Sequence, residues 1–400
     1  MELGLNAQVL LAGFVIAVVF GAVVHKTHFC TMGGVSDWVN MGDTNRLRAW
    51  FLALTVALIG VLAMEALQLV VFDDTRPPYR SGNFAWARHL AGGLLFGIGM
   101  TLASGCTSKN LVRMGAGSLK SVLVVLVAGY FAFLMTRTAF YGVAFHSWVQ
   151  PIAINLPAAG IEGQDLGSMV GALVGGDPRP VRLIIGGVLA LTMLWLLFRS
   201  ADFRASRDNI LSGLVVGLCV AGAWYLTGGP LGQAAIEEVE WMDLKPEGVG
   251  VQSYTFVNPI GETLYYLSQG GRPQLLTFGV VAVAGVVLGS LLHALATRRF
   301  RIEWFASVGD FIRHLVGAVL MGVGGVLAMG CTIGQGITGA STLALGSFLA
   351  LGSIILGSAA TMKVQYYRML YEDASFRDVL TTGLVDLHLL PRGMRKLEAL

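Results

Sequence analysis

Charged side chains are scarce in this sequence of 400 residues. Asp, Glu, Lys and Arg make up 13% of the chain, whereas soluble globular proteins carry about 25%. The net charge of +3 is also small, so the composition offers no strongly basic surface, and we expect no nucleic-acid partner. With 55% hydrophobic residues, the chain has more apolar surface than one soluble core buries, which argues against an ordinary soluble protein.

The apolar residues are collected in long runs, and a helix of about 20 mostly apolar residues crosses the hydrocarbon core of a bilayer. The pattern predicts an all-α integral membrane protein with about nine transmembrane helices, near residues 8–25, 47–72, 89–105, 119–143, 181–199, 209–227, 273–297, 314–330 and 342–360. Four Gly-rich, semi-polar stretches are too short to cross, and we interpret them as re-entrant half-helices: residues 28–42, 107–117, 254–269 and 332–340.

The distribution of Lys and Arg indicates an orientation, because short cytoplasmic loops are enriched in both residues. Under the count of nine helices, the basic loops 199–207 and 298–313 and the tail after Met362 fall on one side. The acidic loop 237–247 falls on the opposite side. We therefore expect a multi-pass protein of a bacterial inner membrane, with its N-terminus outside and its C-terminus in the cytoplasm.

The sequence contains an internal repeat. Residues His89–Thr107 match His314–Thr332 at an offset of 225 residues, and the identical positions include the His, three Gly and the final Gly-Cys-Thr. A weaker echo aligns Phe29-Cys30 with Phe256-Val257. A His and a Cys that match in the same register are hard to obtain by chance, so we interpret the chain as two related halves.

The helix count places the start of the first half outside and the start of the second half inside, which predicts inverted repeats. The predicted units are a first transmembrane repeat, an outer loop with a linking helix, a second transmembrane repeat and a cytoplasmic tail, at residues 1–145, 146–208, 209–362 and 363–400. Inverted repeats with broken helices recur in transporters. A duplicated membrane protein with a structural role is the alternative.

Cysteine is rare as well, with Cys30, Cys106, Cys219 and Cys331. None lies in a predicted outer loop, so we expect no disulfide. Their spacing does not fit a structural metal site, although two cysteines with a His remain conceivable, and we expect no metal and no cofactor. Cys219 fits a small buried hydrophobe. Cys106 and Cys331 instead begin predicted half-helices, where free backbone N–H groups favour an anion.

The motifs around three of these cysteines resemble those of the YeeE/YedE family of membrane proteins, whose characterised members take up thiosulfate. The matching segments are Phe29-Cys30-Thr31, Ser104-Gly105-Cys106-Thr107-Ser108 and Gly330-Cys331-Thr332-Ile333-Gly334-Gln335-Gly336. The similarity spans nearly the whole chain. It implies nine spans in inverted repeats and a central line of cysteines that hands thiosulfate along through S–H···S hydrogen bonds. Carried over residue by residue, these are Cys30, Cys106 and Cys331.

The chain departs from the family pattern after both Gly-Cys-Thr motifs. The family often has Gly-Cys-Thr-x-Gly-His-Gly, but here Ser108-Lys109-Asn110 follows the first copy and Gln335 replaces the His of the second. We interpret Lys109 and Gln335 as contacts to the solute or its exit path, with helix capping as the alternative.

The sequence therefore predicts a permease, not an enzyme, for thiosulfate or a related small inorganic sulfur anion. The predicted substrate-binding residues are Cys30, Cys106, Cys331, Gly105, Thr107, Gly330, Thr332, Gln335 and Lys109. Two alternatives remain. One is a membrane sulfurtransferase that passes a cysteine persulfide to a cytoplasmic sulfur-carrier protein, and the other is a transporter of a selenium compound.

A few other polar residues fall in or beside apolar spans. Glu65 is either functional or paired with an Arg near the outer end of its span. His89 and His314 are interpreted as interfacial or bonded to a loop carbonyl, and Arg137 as snorkelling to the outer interface. Candidates for the outer entrance are Tyr254, Asn258 and Glu262.

Overall fold

The computed structural model of this chain describes residues 4–398. Positions 1–3 of the predicted first repeat and 399–400 of the predicted tail lie outside the described residues. The α-helices are α1 (Leu5–Thr27), α2 (Thr31–Ser36), α3 (Asn45–Ala66), α4 (Trp86–Leu102), α5 (Thr107–Gly115), α6 (Leu119–Arg137), α7 (Ser147–Val149), α8 (Leu166–Val174), α9 (Pro178–Phe198), α10 (Ala201–Ala205), α11 (Arg207–Gly228), α12 (Pro230–Glu240), α13 (Val257–Ser268), α14 (Phe278–Ala296), α15 (Val308–Leu327), α16 (Leu345–Leu370) and α17 (Phe376–Asp386). Four two-residue strands lie in the loops: β1 (Thr75–Arg76), β2 (Asn83–Phe84), β3 (Ile154–Asn155) and β4 (Val251–Gln252), with β1 parallel to β4 and β2 antiparallel to β3.

Within residues 4–398, nine helices are long and apolar enough to cross a bilayer: α1, α3, α4, α6, α9, α11, α14, α15 and α16. The predicted all-α membrane fold with about nine spans is therefore confirmed. Helices suit this setting because each satisfies its own backbone groups where no water is available. Hydroxyls inside the spans donate to carbonyls one turn earlier, as Thr55 does to Phe51 at 2.8 Å. The predicted end of the last span was wrong by about a turn or more, since α16 continues to Leu370.

The four predicted half-helix segments are short helices that cannot cross a bilayer. The first contains α2 followed by a π-helical turn, Asp37–Met41. The second is α5 and the third is α13. The fourth is a π-helix, Gly334–Gly339, followed by a 3-10 turn, Ala340–Thr342. Each of the first, second and fourth segments begins directly after one of the three motif cysteines.

The spanning helices pack in pairs that cross between the two halves of the chain. Helix α1 packs on α14 and α11 packs on α3, while α4 lies between α15 and α16. Glycines allow the backbones of α4 and α15 to touch. A Cβ on Gly99 would lie 2.6 Å from the Gly317 carbonyl oxygen, and one on Gly92 would lie 2.7 Å from the Gly324 oxygen. These contacts are reciprocal, because Gly92 and Gly317 are equivalent in the repeat, as are Gly99 and Gly324.

The long loops on the side opposite the C-terminal tail hold a buried ion cluster. Glu65 at the end of α3 accepts hydrogen bonds at 3.2 Å from two guanidinium nitrogens of Arg80, and it also pairs with Arg182. Arg182 pairs in turn with Asp165 at 2.7 Å. Glu65 is thus an ion-pair residue near a helix end, as one of the two interpretations from the sequence held. Burial alone would raise the pKa of Asp165, but the hydrogen bond and charge of Arg182 hold it below its ordinary value.

This cluster also fixes the chain that follows the fourth half-helix segment. Arg80 Nε donates to the Thr342 carbonyl at 3.1 Å. The Gln164 carbonyl accepts from the Leu345 N–H at 2.8 Å, and Leu166 N–H donates to the Leu343 carbonyl at 3.0 Å. The loop between β3 and α8 therefore holds the start of α16 in place through backbone hydrogen bonds.

Candidate functional site

The same type of backbone turn precedes each of the three motif cysteines. Two residues before each Cys, a non-glycine residue has left-handed backbone: His28 with φ 55°, Ser104 with φ 55° and Met329 with φ 61°. This turn ends the preceding spanning helix and reverses the chain into the half-helix. A left-handed non-glycine residue costs roughly 1–2 kcal/mol, so three equivalent examples mark a geometry that packing imposes. Sequence patterns did not reveal the turn, because glycine usually occupies such positions.

The turns bring the three thiols together. The Cys30 and Cys106 thiols are neighbours. The Thr332 hydroxyl lies near the Cys106 thiol, so the Cys331-Thr332 pair adjoins the other two cysteines. Each thiol is also held by its own half-helix, since Gly33 N–H donates to Cys30 Sγ at 3.3 Å and Gly334 N–H donates to Cys331 Sγ at 3.4 Å.

Neighbouring polar groups, and not burial, distinguish these cysteines from the fourth one, which is also buried. Cys106 and Cys331 are buried and Cys30 is half-buried. Cys106 Sγ lies 3.2 Å from the Ser108 hydroxyl. Cys219 lies on α11, and its thiol reaches the Ile16 carbonyl at 3.9 Å, which fits the buried hydrophobe expected from the sequence.

A threonine follows each of the three cysteines, and all three threonine hydroxyls are buried. Across the described part of the chain, Thr31, Thr107 and Thr332 find no hydrogen-bond partner for their hydroxyls. A buried hydroxyl without a partner costs about 1–3 kcal/mol. Three of them beside three thiols form a set of donors that a ligand can satisfy. Thr31 was missed from the sequence, although the repeated Cys-Thr dipeptide was a usable signal.

The other predicted site residues have different surroundings. The Gln335 amide is fully engaged by the protein, since Nε2 donates to the Ala328 carbonyl and Oε1 accepts from Ser347, both at 2.6 Å. Gly105 and Gly330 precede the cysteines, and the Gly105 carbonyl accepts from Asn110 Nδ2 at 2.8 Å. These contacts brace the turns and do not face the thiols.

A cavity of about 340 Å³ opens on the side opposite the tail and reaches Gly330, the residue before Cys331. Tyr254, Asn258 and Glu262, the residues suggested from the sequence as an entrance, are among those that line it. The Glu262 carboxylate accepts from Asn258 Nδ2 and Thr277 Oγ1, both at 2.7 Å. Arg76 and Thr136 add polar groups to the same wall. The cavity beside Gly330 therefore places a few polar side chains in a lining that is otherwise largely apolar.

On the side of the tail, the surroundings of Cys30 are rich in cations. The Arg46 guanidinium packs beside Gly33, the residue that donates to Cys30 Sγ. Arg113 Nη1 caps the Ser104 carbonyl at 2.8 Å. His25 and His293 join α1 to α14 through a 2.7 Å contact between their Nδ1 atoms.

The repeat histidines and Arg137 are structural in this geometry. His89 is buried, so it is not interfacial, and neither of its ring nitrogens has a hydrogen-bond partner within residues 4–398. His314 Nδ1 lies 2.8 Å from the Asp310 carbonyl. Arg137 reaches the outer loops, where it pairs with Glu247 and lies 4.5 Å from the Tyr265 ring centroid.

The nine apolar spans of the described chain are interrupted by short helices whose ends carry polar donors into the interior, and together they define a polytopic membrane protein of the transporter class. Comparison with known proteins makes the class specific. The chain belongs to the family described as "Sulphur transport", whose match covers residues 26–360, and this confirms the resemblance to the YeeE/YedE proteins.

Two characterised relatives are similar over most of their length. The thiosulfate transporter TsuA of Escherichia coli strain K12 is 24% identical over 350 residues, which cover 82% of this chain and 87% of that protein. The thiosulfate transporter TsuA of Spirochaeta thermophila is 26% identical over 353 residues, which cover 86% of this chain and 96% of that protein.

Proposed function

We propose that this chain is a permease that carries thiosulfate, or a closely related small sulfur anion, across a bacterial inner membrane. The observation that carries the proposal is the convergence of three Cys-Thr pairs at the starts of three half-helices. Membership in a sulphur-transport family and similarity to two thiosulfate transporters support the same solute.

The donor set matches the chemistry of thiosulfate. This anion has a terminal sulfur atom and three oxygen atoms, so one end accepts from thiols and the other accepts from hydroxyls. Thiols are weak hydrogen-bond donors. Weak, repeated sites favour movement, because conduction requires a solute to leave each site as readily as it enters. Transfer along such a row needs no covalent step.

The arrangement supports an order of contacts. Cys331 lies next to the cavity that opens opposite the tail, and Cys106 and Cys30 follow on the way to the tail side. If the tail is cytoplasmic, the solute enters beside Cys331 and leaves beside Cys30. The basic loops 199–207 and 298–313 support that orientation.

The two halves are proposed to be inverted repeats with the boundaries predicted from the sequence. The reciprocal glycine contacts between α4 and α15 support this, because a two-fold axis through the crossing would pair Gly99 with Gly317 and Gly92 with Gly324. The exchanged pairing of α1 with α14 and α3 with α11 supports the same axis.

The test is growth of a bacterium that lacks its own thiosulfate uptake, with thiosulfate as the only sulfur source. The wild-type chain should restore growth, and C331S and C106S should reduce it strongly, because a hydroxyl is a poorer match for a sulfur acceptor. C219S is the matched control and should grow as the wild type does. Equal growth with all three variants would contradict the relay.

The same proteins separate the alternatives. A sulfurtransferase would leave a persulfide, seen as the added mass of one sulfur atom on Cys30 or Cys331 after incubation with thiosulfate, whereas a permease leaves none. A selenium carrier would support selenium uptake and fail to restore growth on thiosulfate. Co-purification with a cytoplasmic sulfur-carrier protein would support that predicted partner.

A further inference from the structure

Lys109 lies where the three thiols meet. It occupies the first turn of α5, three residues after Cys106, and its backbone N–H points at the Cys106 thiol. The stem of its side chain packs on the turn, since a Cβ on Gly105 would lie 3.2 Å from Lys109 Cγ. The side chain is half-buried and therefore held beside the motif instead of extending freely into solvent.

Among the described residues, no carboxylate balances the charge of Lys109, and the groups that favour its charged form are the Cys30 and Cys106 thiols. Within residues 4–398 its amine forms no ion pair with a carboxylate, whereas Lys120 pairs with Asp310 at 2.8 Å and Arg182 pairs with Glu65. The charged groups within electrostatic range of Lys109 include the cations Arg113 and Arg46, of which Arg46 is itself paired with Asp37 at 3.2 Å.

The backbone adds to this positive potential. The N-terminal end of α5 carries a partial positive charge, so a Lys in the first turn is unfavourable there. An ionised side chain without a partner inside a membrane protein is costly, and such residues typically face a functional ligand.

We infer that Lys109 is the counter-ion of a doubly charged sulfur oxyanion, held with its terminal sulfur on the Cys30 and Cys106 thiols and its oxygens toward the amine. The inference rests on the proposed permease function and narrows its substrate class. Coulomb attraction is proportional to charge, so a dianion gains about twice as much from Lys109 as a monoanion does. The chain therefore selects dianions at its inner thiols.

The experiment measures equilibrium binding of radiolabelled thiosulfate to the purified full chain in detergent, for the wild type, K109M, K109R and K26M. We expect K109M to bind at least tenfold more weakly, because a charge-assisted contact is lost, and K109R to keep most of the affinity. Lys26 is exposed on the same side of the membrane, so K26M is the matched control and should bind as the wild type does.

A second measurement reports on charge selection. Thiocyanate is a sulfur-containing monoanion, and its competition against thiosulfate gives a ratio of affinities for each protein. We expect that ratio to shift toward thiocyanate in K109M, which a purely structural role of Lys109 would not produce. If K109M does not fold, K109Q replaces it, with folding checked by monodisperse elution.

The outcomes separate this inference from the proposed function. If K109M binds thiosulfate with wild-type affinity and an unchanged ratio, the inference fails while the permease stands. If the wild type binds sulfite or another dianion in a Lys109-dependent way but not thiosulfate, the proposed solute fails while the role of Lys109 stands.

Discussion

The two Gly-Cys-Thr motifs have the same turn but different surroundings. The second copy is sealed: residues 333–344 are buried, and Tyr79 Oη donates to the Gly334 carbonyl at 2.9 Å. The first copy has Lys109 at the position equivalent to Gly334, and Arg113 and Arg46 lie nearby. The motif therefore sets the geometry of the donors, and the residues around it set the charge.

An amide side chain lies at the same position in both copies of the motif, but its hydrogen-bond partners differ between the copies. Asn110 and Gln335 are 225 residues apart and match in the repeat. Asn110 Nδ2 donates to the carbonyls of Gly105 and Cys106, within its own turn. Gln335 instead joins the end of α15 to Ser347 on α16. Gln335 thus ties the second copy to two spanning helices, whereas the Asn110 amide bonds only within its own turn.

The largest effect is expected where the ion cluster around Glu65 supports the second copy. E65A leaves Arg80 and Arg182 without their shared carboxylate, and removal of one partner from a buried ion pair costs about 3–5 kcal/mol. Thermal unfolding in detergent measures the loss. E162A removes an exposed carboxylate from the same loops and should leave the unfolding temperature unchanged. An equal, small shift in both variants would show that the cluster does not support the fold.

The amide comparison gives the next effect. Q335L leaves the Ala328 carbonyl and the Ser347 hydroxyl without the partners described above, and each unsatisfied buried group costs about 1–3 kcal/mol. N110L loses contacts only inside one turn, so we expect a smaller fall in unfolding temperature. N40L, at an exposed amide, is the control. A larger fall in unfolding temperature for N110L than for Q335L would contradict the view that the second copy is the more firmly held of the two.

A smaller effect, on uptake alone, is expected at the threonines. T107V and T332V keep the shape of the side chain and remove a hydroxyl that has no oxygen or nitrogen partner in the described chain. Stability should stay level or rise slightly, while uptake falls about tenfold if the hydroxyl contacts the solute. T361V removes a hydroxyl that already donates to the Gly357 carbonyl, so it should lower stability and not uptake. Unchanged uptake in both site variants would remove the hydroxyls from the proposed path.

The smallest effect is a pH dependence of stability at Asp165. Its pKa is lowered in the folded chain, mainly through Arg182 acting against burial. Its contribution to stability is therefore present above the unfolded value near 3.8 and is lost as the pH falls through the lower folded value. Unfolding temperatures of the wild type and D165N, measured from neutral to acidic pH, should converge at the acid end. A constant gap between them would contradict this assignment.

The sequence predicts the spans well because length and apolarity alone decide whether a helix crosses a bilayer. The half-helices were visible because they are Gly-rich and short. The turns before the cysteines were not, since His28, Ser104 and Met329 are residues that rarely adopt left-handed backbone.

The sequence also could not predict which residues far apart in the chain would pair. Glu65 pairs with Arg182, 117 residues away, and no local pattern selects that partner from the other arginines. Gln335 stands where the family often has His, and the sequence suggested either a contact to the solute or its exit path or a helix cap; its amide bonds Ala328, just after α15, and Ser347 on α16. Local motifs identified candidate functional residues. Which of them lie beside the thiols depends on tertiary packing, which the motifs do not encode.

The crossing of α4 and α15 has a mechanical consequence. Glycine has no side chain that can change rotamer, so the touching backbones at Gly99 and Gly317 have nothing that yields when one helix slides along the other. A slip of one residue would drive the bulky neighbour Met100 against that backbone. The crossing therefore resists sliding of α4 along α15. Relative motion of these two helices is limited to small changes of their crossing angle.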